Sequence, residues 1–192
     1  MDTWVYKLDG VNYINLTNKC TCACTFCLRD HMDGVGGYGL WLEKEPTAEQ
    51  VITILAGDQT DIVFCGYGEP TEKLEELLLI ARFVKGYGGR VRLDTNGHGS
   101  AINGRDIVPA LAPLTDEISI SLNAPTAARY AELTRCRFPN GFSHMLDFAK
   151  KCVQCGIGTT LSVVDVLSDE EIEACRAIAE GLGARLRVRH CV

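Results

Sequence analysis

Apolar positions along the chain switch repeatedly between two periods. Short runs at residues 5–8, 11–16, 61–65, 90–95, 117–122, 159–165 and 185–190 have the length and residue types of strands. The first two flank Asp9-Gly10, a pair suited to a two-residue hairpin turn. Between the later runs the spacing becomes helical. Leu74, Leu77, Leu78 and Ala81 form one apolar stripe, and Phe142, Met145, Leu146, Ala149, Cys152 and Val153 form another. Thr47 with Gln50 and Ser168 with Glu171 have the spacing of capping boxes that open helices.

This alternation implies parallel strands joined by helical crossovers. Counting 11–16 as the first, there are six such strands in 192 residues, and a complete eight-fold barrel takes about 250. The expected fold is therefore α/β, a partial, open (β/α)6 TIM-like barrel with an N-terminal β-hairpin. No linker, low-complexity stretch or repeat interrupts the pattern, which predicts one domain over residues 1–192. Such folds carry their chemistry in the loops at the carboxyl ends of the strands. Four informative segments fall there: the cysteine-rich stretch after the first strand, Gly66-Tyr67-Gly68-Glu69-Pro70, Asn96-Gly97, and Asn123-Ala124-Pro125.

Composition narrows the setting. A hydrophobic content of 46% supplies one substantial core. The opening MDTWVYKLDG lacks the basic and apolar regions of a signal peptide, so the ten cysteines predict a reducing, cytoplasmic location rather than a disulfide framework. No apolar run approaches the roughly 18 to 20 residues that span a bilayer. A net charge of −6 argues against nucleic acid as a partner, except through a local basic patch.

The chemistry concentrates in Cys20, Cys24 and Cys27, a Cys-x3-Cys-x2-Cys arrangement. Three thiolates can hold three corners of a 4Fe-4S cluster and leave the fourth iron free for a small molecule. Cys22 adds a fourth thiol to the loop and is read as a bystander. A zinc site closes with four ligands, usually as two close pairs. The pairing available here is Cys24 and Cys27 with Cys152 and Cys155, which keeps a non-catalytic zinc-binding protein as the reading from another class. Cys152 continues a helical core stripe, and Cys65 and Cys175 fit as packed thiols. A second cluster would need several of Cys65, Cys136, Cys152, Cys155 and Cys191 to converge.

With Phe26 before the last motif cysteine, the glycine-glutamate string at 66–70, and the strand ends at 93–97 and 118–123, the chain resembles the radical S-adenosylmethionine (radical SAM) enzymes. Asn15-Leu16-Thr17-Asn18, residues 33–38 and residues 163–166 resemble, more narrowly, the TatD-associated radical SAM family. The resemblance implies a 4Fe-4S cluster on Cys20, Cys24 and Cys27 and reductive cleavage of S-adenosylmethionine to a 5'-deoxyadenosyl radical. It also implies that the backbone of Gly66, Tyr67 and Gly68 meets the methionine amine, with Glu69 fixing that loop or touching the amine. Ser121 and Asn123 would contact ribose and carboxylate. Asn96 joins the cofactor-binding set, Phe26 lies by the adenine, and Arg29 balances charge. The resemblance names no catalytic side chain. It implies an electron donor such as flavodoxin or ferredoxin and a substrate that stays unidentified, with glycyl-radical activation and tRNA or nucleotide modification as alternatives.

Three further expectations follow from position. Strand alternation puts Ser119, Ser121 and Asn123 on one face, Asp94 and Asn96 on one, and Thr160, Ser162 and Val164 on one. The glycine-rich loop 33–39 suits a mobile cover over the cluster. Arg187, Arg189 and His190 end the last strand, where substrate-facing residues sit in open barrels.

Overall fold

A computed structural model describes residues 2–32 and 34–190. Seven strands form one sheet in chain order: β1 Val5–Leu8, β2 Val11–Ile14, β3 Ile62–Phe64, β4 Val91–Thr95, β5 Glu117–Ser121, β6 Gly158–Val164 and β7 Arg185–Arg189. β1 and β2 are antiparallel, with Leu8 opposite Val11, and every later pairing is parallel. Asp9 and Gly10 both have positive φ, 50° and 82°, as the tight hairpin turn requires. β1 and β7 are the two edges of the sheet, so the barrel is open as the strand count predicts.

Helices occupy each connection between parallel strands. α1 Leu28–His31 and α2 Ala48–Leu55 follow β2, and a 3-10 turn Pro70–Lys73 leads into α3 Leu74–Gly86 after β3. α4 Gly99–Ile102 and α5 Val108–Leu111 follow β4, α6 Ala127–Thr134 and α7 Gly141–Gln154 follow β5, and α8 Asp169–Leu182 follows β6. Both predicted capping boxes are present, Thr47 with Gln50 and Ser168 with Glu171. The apolar stripe of α3 runs further than its sequence signal. Leu74, Leu77 and Ala81 are buried as expected, Leu78 is half-buried, and the same face continues to Ile80 and Val84. In α7 the stripe gains Phe148, while Val153 lies at its margin.

The core lies between these helices and one face of the sheet. Ile14, Phe64, Leu93, Ile118, Ile120, Leu161 and Val163 pack there with Val51, Leu77, Ile80, Met145, Phe148 and Ala179. Burial of each such side chain contributes about 1.5–3 kcal/mol. Because Ile118 and Ile120 are committed to the helix layer, Ser119 and Ser121 fall on the opposite, concave face. Among the described residues no helix is long and apolar enough to cross a membrane.

The segment after Gly39 is fastened rather than free. Asn15 Nδ2 donates to the Leu40 carbonyl at 2.7 Å, and Asn18 exchanges two hydrogen bonds with the Leu42 backbone. Leu40 and Leu42 are buried. Before it, Val35 and Tyr38 close a short turn with Gly36 and Gly37 at positive φ. Asp33 of the expected cover, and Cys191, lie outside the described residues.

Candidate active site at the carboxyl rim

The cysteine loop leaves the end of β2 and is stitched to α6 and the chain beyond it. Ala23 N–H donates to the Thr134 carbonyl, Thr25 N–H to Leu133, and Arg137 N–H to Thr21, each at 2.9 Å. Cys27 stands at the N-cap position of α1 without a side-chain capping bond. Cys20, Cys24 and Cys27 are half-buried, whereas Cys22 is buried. The Cys22 N–H donates to Cys20 Sγ at 3.4 Å. The Cys20 thiol is pushed up, first by hydrogen bonding with Cys22 and then by burial and the nearby Glu69. Burial also raises Cys27, against the pull of the Arg29 backbone N–H and charge. A bound cation would offset these shifts and favour the thiolate form.

The motif thiols are not gathered as ligands of one ion. Among the described residues, the one group of three metal-type donors lying within 4.8 Å of one another is Cys22, His98 and Cys136. Wider spacing of Cys20, Cys24 and Cys27 is what separate iron corners of a cluster need. The same observation separates Cys24 and Cys27 from Cys152, which is fully buried in the core, and Cys155, which is exposed.

The glycine-rich loop follows β3 and is packed against the cysteine loop. A Cβ on Gly66 would overlap Asn15 Oδ1, and one on Gly68 would overlap the carbonyls of Thr17 and Lys19. Gly68 therefore lets the two loops meet backbone to backbone and Gly66 makes room for the Asn15 side chain, reasons distinct from the expected approach of a ligand. The Glu69 N–H donates to the Lys19 carbonyl at 2.7 Å. Tyr67 OH donates to the Met32 carbonyl at 2.8 Å.

Glu69 is buried and ties three segments together. Its Oε1 accepts from the Thr71 N–H, the Thr71 hydroxyl and the Thr95 hydroxyl, and its Oε2 accepts the Asn96 N–H at 2.7 Å. Burial pushes this carboxyl up, and the Asn96, Thr71 and Thr95 donors pull it the other way. Of the two expected roles, the structure assigns all these contacts to fixing the loop.

Beyond β4, Asn96 turns back to the cysteines. Its Nδ2 donates to Thr21 Oγ1 at 2.8 Å and lies 3.7 Å from Cys20 Sγ. His98, two residues on, is fully buried, with Nδ1 2.9 Å from Thr21 Oγ1 and Nε2 3.1 Å from the Gly141 carbonyl. Burial holds it neutral, with a pKa lowered to about 4. Ser121 ends β5 beside Ser162 of β6. Asn123 adopts a left-handed backbone, φ 58°, and its buried Oδ1 has no hydrogen-bond partner among the described residues. Phe26 packs on the edge of the core.

On the concave face Arg92 binds Asp94 through Nε and Nη2 at 3.0 and 3.1 Å. Burial raises the Asp94 carboxyl, opposed by Arg92, Arg189 and Arg187. Burial and Asp94 push the nearby Cys65 thiol up to about 12. Lower on this face a cavity of about 310 Å³ is lined by Arg92, Glu117, Ser119, Thr160, Arg185 and Arg187, among others. His190 points outward and pairs with Asp165 at 2.8 Å.

Sequence reading missed His98 and Tyr130, which meet behind the rim with Cys136, a residue it considers only as a member of a second cluster. The available signal was position. His98 follows Asn96 at the carboxyl end of a strand, and Cys22 is an extra thiol inside a spaced motif.

The sequence profile of the radical SAM superfamily matches residues 14–180. Comparison with curated proteins gives no match. Among solved structures, Streptococcus suis SuiB is 18% identical, with a TM-score of 0.71 over 95% of this chain and 39% of that one. SuiB bound to S-adenosylmethionine is similar at 17% identity, a TM-score of 0.71, and 95% and 40% coverage. Native anSMEcpe with bound AdoMet is 16% identical, with a TM-score of 0.65 over 95% and 51%. This chain spans about two fifths to one half of these proteins, and likeness at such identity is likeness of fold. The profile match runs through the cysteine loop, the glycine-rich loop and the strand ends alike, and the chain belongs to the radical SAM superfamily, enzymes that use a 4Fe-4S cluster and S-adenosylmethionine.

Proposed function

We propose that this chain is a radical SAM core that cleaves S-adenosylmethionine reductively to 5'-deoxyadenosine by way of a carbon-centred radical. The observation that supports it most is the buried, unpartnered Asn123 Oδ1 on the same rim as the three half-buried motif thiols. An orphaned buried acceptor is costly, and a bound donor relieves it.

Cys20, Cys24 and Cys27 would hold a 4Fe-4S cluster. When bound, the cluster and S-adenosylmethionine supply the electron and the radical. The chain's own residues bind and orient. The backbone of Gly66, Tyr67 and Gly68 receives the methionine amine, on a loop that Glu69 locks to β4. Ser121 and Asn123 take ribose hydroxyls or the carboxylate, Asn96 steadies the Cys20 side of the loop, and Phe26 borders the adenine. Arg29 places positive charge beside Cys27. The electron comes from a small reductant protein of the flavodoxin or ferredoxin type.

Within the superfamily, the strings at 15–18, 33–38 and 163–166 favour the TatD-associated family. The substrate enters from the concave face, where Arg92, Arg187 and Arg189 surround Asp94. The test is spectroscopic. Adding S-adenosylmethionine to the reduced, reconstituted protein should change the electron paramagnetic resonance signal of its cluster. An unchanged signal at saturating cofactor would sink the assignment of the open iron.

A further inference from the structure

Behind the rim, and reached through Cys22 of the cysteine loop, stands a second set of metal-type donors. Cys22 and His98 are buried, 7% and 0% exposed, and Cys136 is half-buried. Their donor atoms lie within 4.8 Å of one another. Cys22 Sγ is 3.9 Å from His98 Nδ1, and Cys136 Sγ is 3.7 Å from Nδ1 and 3.8 Å from Nε2. A tetrahedral ion with bonds of about 2.3 Å to sulfur and about 2.0 Å to nitrogen holds such donors about 3.6 Å apart.

The imidazole is oriented for this use. Thr21 Oγ1 accepts from Asn96 Nδ2 at 2.8 Å and lies 2.9 Å from Nδ1. In the tautomer with its lone pair on Nδ1, Nε2–H donates to the Gly141 carbonyl at 3.1 Å, with the Tyr130 hydroxyl 3.0 Å from the same nitrogen. A ligating histidine commonly gives its other N–H to a carbonyl in this way. A Cβ at Gly141 would stand 2.7 Å from Cys136 Sγ and 3.2 Å from Nε2, so glycine there leaves room for the group. Cys136 Sγ accepts the Phe138 N–H at 3.3 Å. Seating an ion on Nδ1 requires Thr21 to turn its hydroxyl aside and Cys136, now over the ring, to rotate about χ1.

We propose that Cys22, His98 and Cys136 form a mononuclear site for a divalent ion of the zinc class, separate from Cys20, Cys24 and Cys27. Two thiolates and an imidazole select a borderline-soft, tetrahedral ion, and Thr21 or a water completes the fourth corner. Burial denies a substrate access, so the ion braces. It ties the cysteine loop through Cys22 to the end of β4 through His98 and to the α6–α7 connection through Cys136. It also occupies the Cys22 thiol, which would otherwise compete as a fourth thiol for iron.

The test uses the full chain, purified anaerobically and stripped with a chelator, with Co2+ and Zn2+ as probes. One equivalent of Co2+ should give the intense visible bands of a tetrahedral thiolate complex, and Zn2+ should displace it and raise the thermal midpoint. Cys136→Ser and Cys136→Ala should each weaken uptake more than tenfold and abolish the thermal shift, with iron and sulfide content after reconstitution unchanged. Two variants of different polarity, both checked by far-UV circular dichroism, separate loss of the site from loss of folding. Absence of tetrahedral cobalt bands in the intact chain would mean that the cluster is an ordinary hydrogen-bonded network. Full uptake by both Cys136 variants, or loss of iron in Cys22→Ser as complete as in Cys24→Ala, would equally overturn the proposal, the last by making Cys22 an iron ligand.

Discussion

The backbone N–H of Asn96 donates to Glu69 Oε2 at 2.7 Å, so the acid that closes the glycine-rich loop also sets the end of β4. The other carboxylate oxygen accepts from Thr71 and Thr95. A Glu69→Gln amide must aim an NH2 donor either at the Asn96 N–H or at the Thr71 and Thr95 donors. Leaving buried donors unmatched costs about 1–3 kcal/mol each. The variant should lose stability in urea denaturation and bind S-adenosylmethionine more weakly. A midpoint equal to wild type would contradict the role given to this carboxylate.

Gly66 and Gly68 should differ in tolerance. A methyl at Gly68 meets the carbonyl backbone of Thr17 and Lys19, whereas one at Gly66 meets the side chain of Asn15. Side chains adjust more readily than a packed backbone. Gly68→Ala should therefore destabilise more than Gly66→Ala and lose more iron on reconstitution. The reverse order would mean that close ligand approach, not loop packing, selects these glycines.

At Asn123, strain and binding can be separated. Its φ of 58° costs alanine about 1–2 kcal/mol but costs glycine little. Asn123→Ala should lose both stability and cofactor affinity. Asn123→Gly should keep the thermal midpoint near wild type and bind S-adenosylmethionine less tightly by equilibrium dialysis. Full affinity in the glycine variant would remove Asn123 from the cofactor site.

Much of this architecture was legible before any coordinates because local chemistry and global fold agree. Asp9-Gly10 specified the hairpin, Thr47 and Ser168 opened their helices, and all seven strand runs fall within a residue or two of β1 to β7. The face of β5 was not legible. Alternation separates Ser119 and Ser121 from Ile118 and Ile120, but only the packing of the isoleucines against helices says which side is concave. The partnership of Cys22, His98 and Cys136 was hidden for a different reason. Its members are 76 and 38 residues apart, and each reads locally as a loop residue or a packed thiol.

Below the site, Lys85 Nζ binds both oxygens of Asp116 at 2.9 and 3.0 Å, and Asp116 Oδ2 accepts the Val91 N–H at 2.7 Å. Burial raises this carboxyl, but Lys85 and Val91 outweigh it and hold the folded pKa below the usual range. Stability from this pair is present above the unfolded carboxylate pKa, near 3.9, and is lost as pH falls through the lower folded value. Asp116→Asn should be less stable than wild type by about 1 kcal/mol at pH 7. The gap should shrink toward pH 3 in urea titrations; a gap independent of pH would assign the loss to packing.

The most direct measurement is the yield of 5'-deoxyadenosine by mass spectrometry from anaerobically reconstituted protein given S-adenosylmethionine and a strong reductant, beside Cys24→Ala. The account predicts product from the intact chain and none from the variant. Equal yields from both, or no product from a chain that carries a full 4Fe-4S complement, would contradict reductive cleavage at Cys20, Cys24 and Cys27.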